Sequence, residues 1–129
     1  MITVTAAIIQ KENRIFAARR LPGKHLEGLW ELPGGKLEPG ESLEECLARE
    51  LAEEFGIETH VGRYLGESVY DYGEKVIKLK AYHVTHIKGE FQLTDHDELR
   101  WLSADELHDV EWAPADIQLL KMARLLLEE

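Results

Sequence analysis

Gly35-Lys36-Leu37-Glu38-Pro39-Gly40-Glu41-Ser42-Leu43-Glu44-Glu45-Cys46-Leu47-Ala48-Arg49-Glu50-Leu51-Ala52-Glu53-Glu54-Phe55-Gly56-Ile57 is the segment around which the chain is organised. Gly34, Gly35, Pro39 and Gly40 mark a loop, because glycine and proline interrupt regular structure. Ser42 is placed as a helix N-cap, and Glu45 three residues on completes a capping box. The helix is expected to stop at Gly56, the residue type favoured where a helix ends in left-handed backbone. Leu43, Leu47, Leu51 and Phe55 recur at helical spacing as an apolar stripe fit for a core. Beside that stripe Glu50, Glu53 and Glu54 stand at i, i+3 and i+4, on one arc of the helix. Like charges so placed repel by roughly a few tenths of a kcal/mol per pair. Arg49 is the only cation between Leu37 and Thr59. A divalent cation would supply the missing charge, since hard ions take carboxylate oxygens together with substrate phosphates. The plainer alternative is a polar helix face in water.

The whole stretch resembles the Nudix hydrolase signature: Gly, five residues, Glu, seven residues, Arg-Glu, an aliphatic residue, any residue, Glu-Glu, any residue, Gly and an aliphatic residue. Gly35, Glu41, Arg49, Glu50, Leu51, Glu53, Glu54, Gly56 and Ile57 meet its fixed positions. The preceding Gly28-Leu29-Trp30-Glu31-Leu32-Pro33-Gly34-Gly35-Lys36 is similar to the MutT branch, the nucleoside triphosphate pyrophosphohydrolases. The resemblance implies a Nudix α/β/α sandwich with a mixed central sheet, of α/β (α+β) class. The order of strands and helices read from the residues agrees with that class without selecting a topology.

At 129 residues the chain is expected to form a single domain, 1–129, with one core. No stretch approaches the length of apolar sequence a membrane helix needs, so no membrane partner is expected. The start, Met1-Ile2-Thr3-Val4, lacks the regions of a secretory signal. The lone Cys46 cannot form an internal disulfide and fits a reducing cytoplasm, where the protein is placed. A formal net charge of −10 argues against a nucleic acid polymer as partner, because such binding needs a basic surface. A negative protein still binds a triphosphate when metal ions offset the local charge. Monomer and homodimer both remain open.

Along the chain, Ile2 to Gln10 and Ile15 to Arg19 read as a hairpin joined by the polar turn Lys11 to Arg14. A basic loop with Arg20, Lys24 and His25 follows. Trp30-Glu31-Leu32 reads as a short extended piece. His60 to Asp71 reads as a strand interrupted by Gly62 and Gly66, and Lys75 to Ile87 as a long strand beyond the turn at Tyr72. His83 and His86 are read as sheet residues, not metal ligands. Thr94 to Glu98 reads as an acidic loop before a strand at Leu99 to Leu102. Ser103 is read as the cap of a short helix, Ala104 to His108. Pro114 opens a final helix whose apolar face is expected to be Ile117, Leu120, Met122, Ala123 and Leu127.

The resemblance also implies site roles. Glu50, Glu53 and Glu54 with the Gly34 carbonyl, completed by Glu98 (or Asp97), hold Mg²⁺ or Mn²⁺. Arg49 orients carboxylates through its planar guanidinium, and Glu41 supports the loop and a water ligand. The general base is one of Glu53, Glu54 or Glu98. Arg20, His25, Leu32, Lys36, Tyr72, Lys75 and Asp116 contact substrate. The implied reaction is metal-dependent hydrolysis of a nucleoside triphosphate to monophosphate and pyrophosphate. The leading expectation is 8-oxo-dGTP sanitation of the nucleotide pool, a DNA-repair role. The second is a CTP or dCTP pyrophosphohydrolase, and a non-catalytic nucleotide-binding module is a remote third. As an ionised carboxylate Asp116 only accepts hydrogen bonds, which suits base edges bearing N–H donors.

Overall fold

The computed structural model describes residues 1–129. Strands β1 (Ile2–Lys11) and β2 (Arg14–Arg20) form the expected hairpin. Its turn is tight because Glu12 and Asn13 both adopt positive φ, 50° and 68°, the backbone that matches strand twist in a two-residue connection. A short β3 (Trp30–Glu31) precedes helix α1 (Leu43–Phe55), then β4 (Glu58–Asp71), β5 (Val76–Lys88) and β6 (His96–Leu102). A single 3₁₀ turn at Ala104–Glu106 and two short helices, α2 (Pro114–Ile117) and α3 (Leu120–Leu127), complete the chain.

The sheet runs β3-β2-β1-β5-β4, with β6 on β2. It is mixed: β1 and β5 are parallel from Ile2↔Ile77 to Ile9↔Val84, and the other pairs are antiparallel. Because β1 is central, alternate residues serve opposite cores. Ala6 and Ile8 join Leu119, Ala123, Leu126 and Leu127 on the face covered by α2 and α3. Ala7 and Ile9 join Leu47, Leu51 and Phe55 of α1 on the other. Two helical layers therefore enclose one mixed sheet, the α/β/α sandwich. No helix is long and apolar enough to cross a membrane.

Four boundary expectations change. The segment His60 to Asp71 is one continuous strand, and its glycines sit at irregularities between Val61 and Gly66 instead of breaking it. At Gly66 a Cβ would lie 2.5 Å from the Met122 methyl, so the missing side chain lets α3 approach the sheet. Strand β6 begins at His96, three residues before the expected start, because it pairs with β2 as far as Arg20. The helix after Ser103 shrinks to the 3₁₀ turn, in which Ser103 N–H donates to Glu106 Oε1 at 2.9 Å. The final helix is broken at Gln118 and Leu119. The break moves Leu119 and Leu126 into the core and leaves Ile117 53% exposed, outside the apolar face assigned to it.

Candidate active site

The site lies where β1 and β2 part. They pair only at Gln10↔Ile15 and Lys11↔Arg14. Beyond that, β3 pairs with β2 at Ala18↔Glu31 and Arg19↔Trp30. The loop after β3 runs along β1: Ala7 N–H donates to Pro33 O (2.7 Å), Thr5 N–H to Gly35 O (2.8 Å) and Leu37 N–H to Thr3 O (3.1 Å). The glycines permit this. A Cβ on Gly34 would stand 2.0 Å from Thr5 O, and one on Gly35 would stand 2.1 Å from Glu50 Cδ. Gly35 O is taken by Thr5, both N–H and Oγ1, whereas Gly34 O accepts none of these bonds.

Helix α1 presents its carboxylates to this loop. Ser42 Oγ accepts from Glu45 N–H at 3.1 Å, Glu45 Oε1 accepts from Ser42 N–H at 2.8 Å, and Gly56 ends the helix at φ 69°. Leu47, Leu51 and Phe55 anchor the helix in the core. That fixes Arg49, Glu50, Glu53 and Glu54 on the neighbouring arc. Arg49 grips both oxygens of Glu41 (2.6 and 2.9 Å) and donates to Glu50 Oε1 (2.8 Å) and Glu53 Oε1 (3.1 Å). Its guanidinium, with the Glu38 N–H, holds the Glu41 carboxyl down at about 2. The crowding inferred from spacing is therefore relieved on one side by Arg49, and no three His, Cys, Asp or Glu side chains converge as a ready metal cage.

Glu54 is outside that relief. Burial, a hydrogen bond with Glu50 and the charges of Glu31, Glu50 and Asp95 push its carboxyl up to about 9. Hard oxygen donors so crowded that one must keep its proton are a set a divalent cation would stabilise. Glu50, packed on Gly35, Glu54 and the free Gly34 carbonyl supply it.

A cavity of about 280 Å³ opens here, lined by Gly34, Gly35, Glu54, Asp95, Arg20, Lys24, Glu31, Leu32 and Asp116 among others. A second, of about 160 Å³, adjoins it and shares Val4, Arg20, Glu31, Leu79 and Asp116. His25, Tyr72, Lys75 and Ala115 line its far end, and the His25 and Tyr72 rings meet edge-on with centroids 5.6 Å apart. Of the two adjoining cavities, the first is thus lined mainly by acidic and basic groups and the second carries the aromatic rings.

At the junction lie Glu31 and Asp116. Arg20 Nη1 reaches both Glu31 oxygens at 3.1 and 3.2 Å, and His96 Nε2 lies 2.7 Å from Glu31 Oε2. Asp116 is 5% exposed, and its Oδ2 accepts Leu32 N–H at 2.9 Å. Burial, reinforced by the Glu31 charge, pushes the Asp116 carboxyl well above its usual range. The sequence reading took Asp116 as ionised. In this setting the neutral acid is favoured, and a neutral acid both donates and accepts.

Of the expected site residues, Gly34, Glu54, Arg20, Leu32 and Asp116 line the first cavity, and His25, Tyr72 and Lys75 the second. Glu50 sits behind Gly35, and Arg49 and Glu41 form the ion pair beneath the loop. Glu53, Glu98 and Lys36 stand apart from both cavities. Glu53 is 55% exposed and turned to Arg49, its i−4 neighbour. Glu98 lies within β6 instead of a loop and pairs with Arg19 at 3.3 Å; Asp97 takes the same arginine at 2.7 Å. The Lys36 side chain is exposed and lines neither cavity. Asp95 is the carboxylate of that segment that reaches the cavity, held by Lys24 Nζ at 3.1 Å. Glu31, Asp95 and His96 were missed. The one available signal was Glu31 itself, a lone acid in the apolar run Leu29-Trp30-Glu31-Leu32. Nothing local distinguished Asp95 from Asp97 and Glu98.

Comparison with known sequences decides the lineage. The NUDIX domain pattern matches residues 1–123. The chain belongs to the Nudix family. It is an enzyme of the Nudix hydrolases, MutT-like in sequence and fold. This Nudix protein is similar to the CTP pyrophosphohydrolase of Escherichia coli K12, 43% identical over 121 residues, covering 94% of this chain and 90% of that one. It is equally similar to the putative 8-oxo-dGTP diphosphatase 2 of Mycobacterium tuberculosis, 43% identical over 116 residues, covering 88% of this chain and 81% of that one. The crystal structure of a MutT protein from Methanosarcina mazei superposes with a TM-score of 0.86 at 28% identity, covering 99% of this chain and 96% of that one. Nudix hydrolases generally use divalent metal ions, and they act on nucleotides.

Proposed function

We propose that this Nudix hydrolase cleaves nucleoside triphosphates to the monophosphate and pyrophosphate with Mg²⁺, Mn²⁺ being an alternative. The observation that carries the reading is the pair of adjoining cavities, one with crowded carboxylates and the other with aromatic rings. Glu50, Glu54 and the Gly34 carbonyl hold the cation, with Asp95 close by. When bound, the cation neutralises phosphate oxygens and acidifies a water. Arg20 and Lys24, which line the first cavity, hold the phosphate tail. Of the three general-base candidates Glu54 alone lines the cavity; once a bound cation had displaced its proton, its carboxylate would take the proton of the attacking water. His25 and Tyr72, in contact with each other, form a wall against which the base lies.

Base choice rests on Asp116. Oδ2 is committed to Leu32 and Asp116 lines the cavity, so its other oxygen, when protonated, is the one left to donate to a base, while the Glu31 carboxylate accepts. That pair suits a base edge with a donor beside an acceptor. Cytosine offers N4–H and N3, and 8-oxoguanine offers N7–H and O6. Both readings have relatives at 43% identity, so nucleotide-pool sanitation of 8-oxo-dGTP and hydrolysis of CTP or dCTP are the two candidate roles.

The test is kcat/KM for 8-oxo-dGTP, dGTP, CTP and dCTP with Mg²⁺. One triphosphate should exceed dGTP by about tenfold or more, the discrimination a buried polar pair supplies. Asp116→Asn, which keeps one donor and one acceptor, should hold kcat/KM within about threefold of wild type, whereas Asp116→Ala should lose about tenfold. An Asn variant as impaired as the Ala variant would show that Asp116 works as an anion.

A further inference from the structure

His96 is in none of these roles, yet its placement is unusual. Its side chain is fully buried, with the ring stacked on Phe55 of α1 at a centroid distance of 5.3 Å and an interplanar angle of 19°. Nε2 meets Glu31 Oε2 at 2.7 Å, while Nδ1 is buried with no hydrogen-bond partner. A core ring kept only for packing would be cheaper as an apolar residue, because a buried unpaired polar atom costs stability. The arrangement makes sense if the ring is retained for its one bond. A carboxylate only accepts, so the tautomer has its proton on Nε2, and Nε2–H donates to Glu31.

Glu31 has few other restraints. It sits at the end of the two-residue β3, where pairing with β2 stops. Only Arg20 Nη1 and His96 hold its carboxylate, and Arg20 is itself bent toward the His25 carbonyl by an Nε bond of 2.6 Å. Glu31 and Asp116 both line the two cavities where they meet. The neighbouring loop is tied to the end of the carboxylate helix, since Thr94 Oγ1 donates to Glu54 O at 2.7 Å. His96 thus connects a rigid part of the core, Phe55, to a carboxylate on a short strand at the edge of the site.

We propose that His96 is a positioning residue for base choice: its Nε2–H holds the Glu31 carboxylate at the junction of the two cavities, so that position 96 governs affinity for the nucleotide base without touching substrate. The inference rests on the nucleotide reading above. It predicts a change in KM and in base ranking, not in the rate of the chemical step, since the phosphate end keeps Glu50, Glu54, Arg20 and Lys24.

Two substitutions separate this role from packing. The amide nitrogen of Gln reaches the place of Nε2, whereas that of Asn reaches the place of Nδ1. With its preferred triphosphate, His96→Asn should raise KM about tenfold and leave kcat within about threefold, the loss expected for one hydrogen bond to a charged group. His96→Gln should restore KM to within about threefold of wild type although both variants replace the ring. In a Glu31→Gln background, His96→Asn should change KM by less than about twofold, because residues acting through one contact are not additive. Melting temperatures of all variants are measured alongside. Equal KM for the Asn and Gln variants, a loss confined to kcat, or additivity with Glu31→Gln would each overturn the positioning role while wild-type turnover leaves the nucleotide reading standing. Wild-type protein that cleaves none of the triphosphates would overturn the nucleotide reading and the role built on it.

Discussion

Glu54→Gln should abolish turnover and stabilise the metal-free fold in the same substitution. Glu54 is the one signature glutamate that lines the cavity, so removing its charge should lower kcat with Mg²⁺ by at least about a hundredfold, a typical loss for a group that binds metal or moves a proton. The stability effect follows from proton linkage. The folded protein holds the Glu54 proton up to about pH 9, whereas an unfolded chain releases it near the ordinary value of 4.5. The folded state therefore binds more protons across that window, and Glu54 makes the metal-free protein lose stability as pH rises from about 4.5 to about 9. Gln carries no such penalty. Its melting temperature at pH 8 should exceed that of wild type by about 3–5 °C, the shift that ~1 kcal/mol produces in a domain of this size. The gap should close toward pH 5. Adding Mg²⁺ should stabilise wild type but not the variant, because only the ionised carboxylate rewards the cation. Calorimetry in two buffers of different ionisation enthalpy should show wild-type Mg²⁺ binding with release of about one proton at pH 7–8, as displacement of a proton from a raised carboxyl requires. A destabilised Gln variant, or Mg²⁺ binding without proton release, would count against this account of the site.

Gly34→Ala and Gly35→Ala should fail in different ways, although the residues are adjacent. At Gly34 the added methyl would stand 2.0 Å from the Thr5 carbonyl, a backbone atom of the central strand. Backbone cannot step aside as a side chain can, so the loop must leave β1 and the bonds from Thr5 and Ala7 to it weaken. A stability loss of about 2–4 kcal/mol is expected, at the upper end for overpacking. At Gly35 the methyl would meet the carboxyl end of Glu50, 2.1 Å from Cδ. That end can rotate away, and the fold should survive with a small fall in melting temperature. Rotation carries Glu50 off the face it shares with Glu54, and turnover should fall by about a hundredfold, as for loss of a metal-holding carboxylate. Circular dichroism melts and initial rates on purified variants separate the two. Equal melting temperatures for both variants would show that the loop is not clamped to β1 as described.

Much of this was legible without coordinates, and the reason is local. A capping box, a C-terminal glycine and a 3.6-residue stripe depend on neighbours within a few positions. Local signals therefore suffice to make Ser42 to Gly56 a helix, to turn Leu47, Leu51 and Phe55 inward, and to start Glu50, Glu53 and Glu54 from one arc. The signature likewise located the glycine loop. What helical spacing does not determine is where a flexible side chain goes from that arc. Arg49 draws Glu53 outward and Glu41 inward, leaving Glu54 alone at the cavity. Strand register is also non-local. Within Asp95-His96-Asp97-Glu98 the residues look interchangeable, and only the pairing of His96 with Arg20 on β2 turns Asp95 to the site and Glu98 away from it. The protonation of Asp116 depends on its distance from water and on Glu31, 85 positions earlier in the chain, which no window of sequence contains. These points come from the assembled fold, because burial and long-range charge belong to it and not to any segment of it.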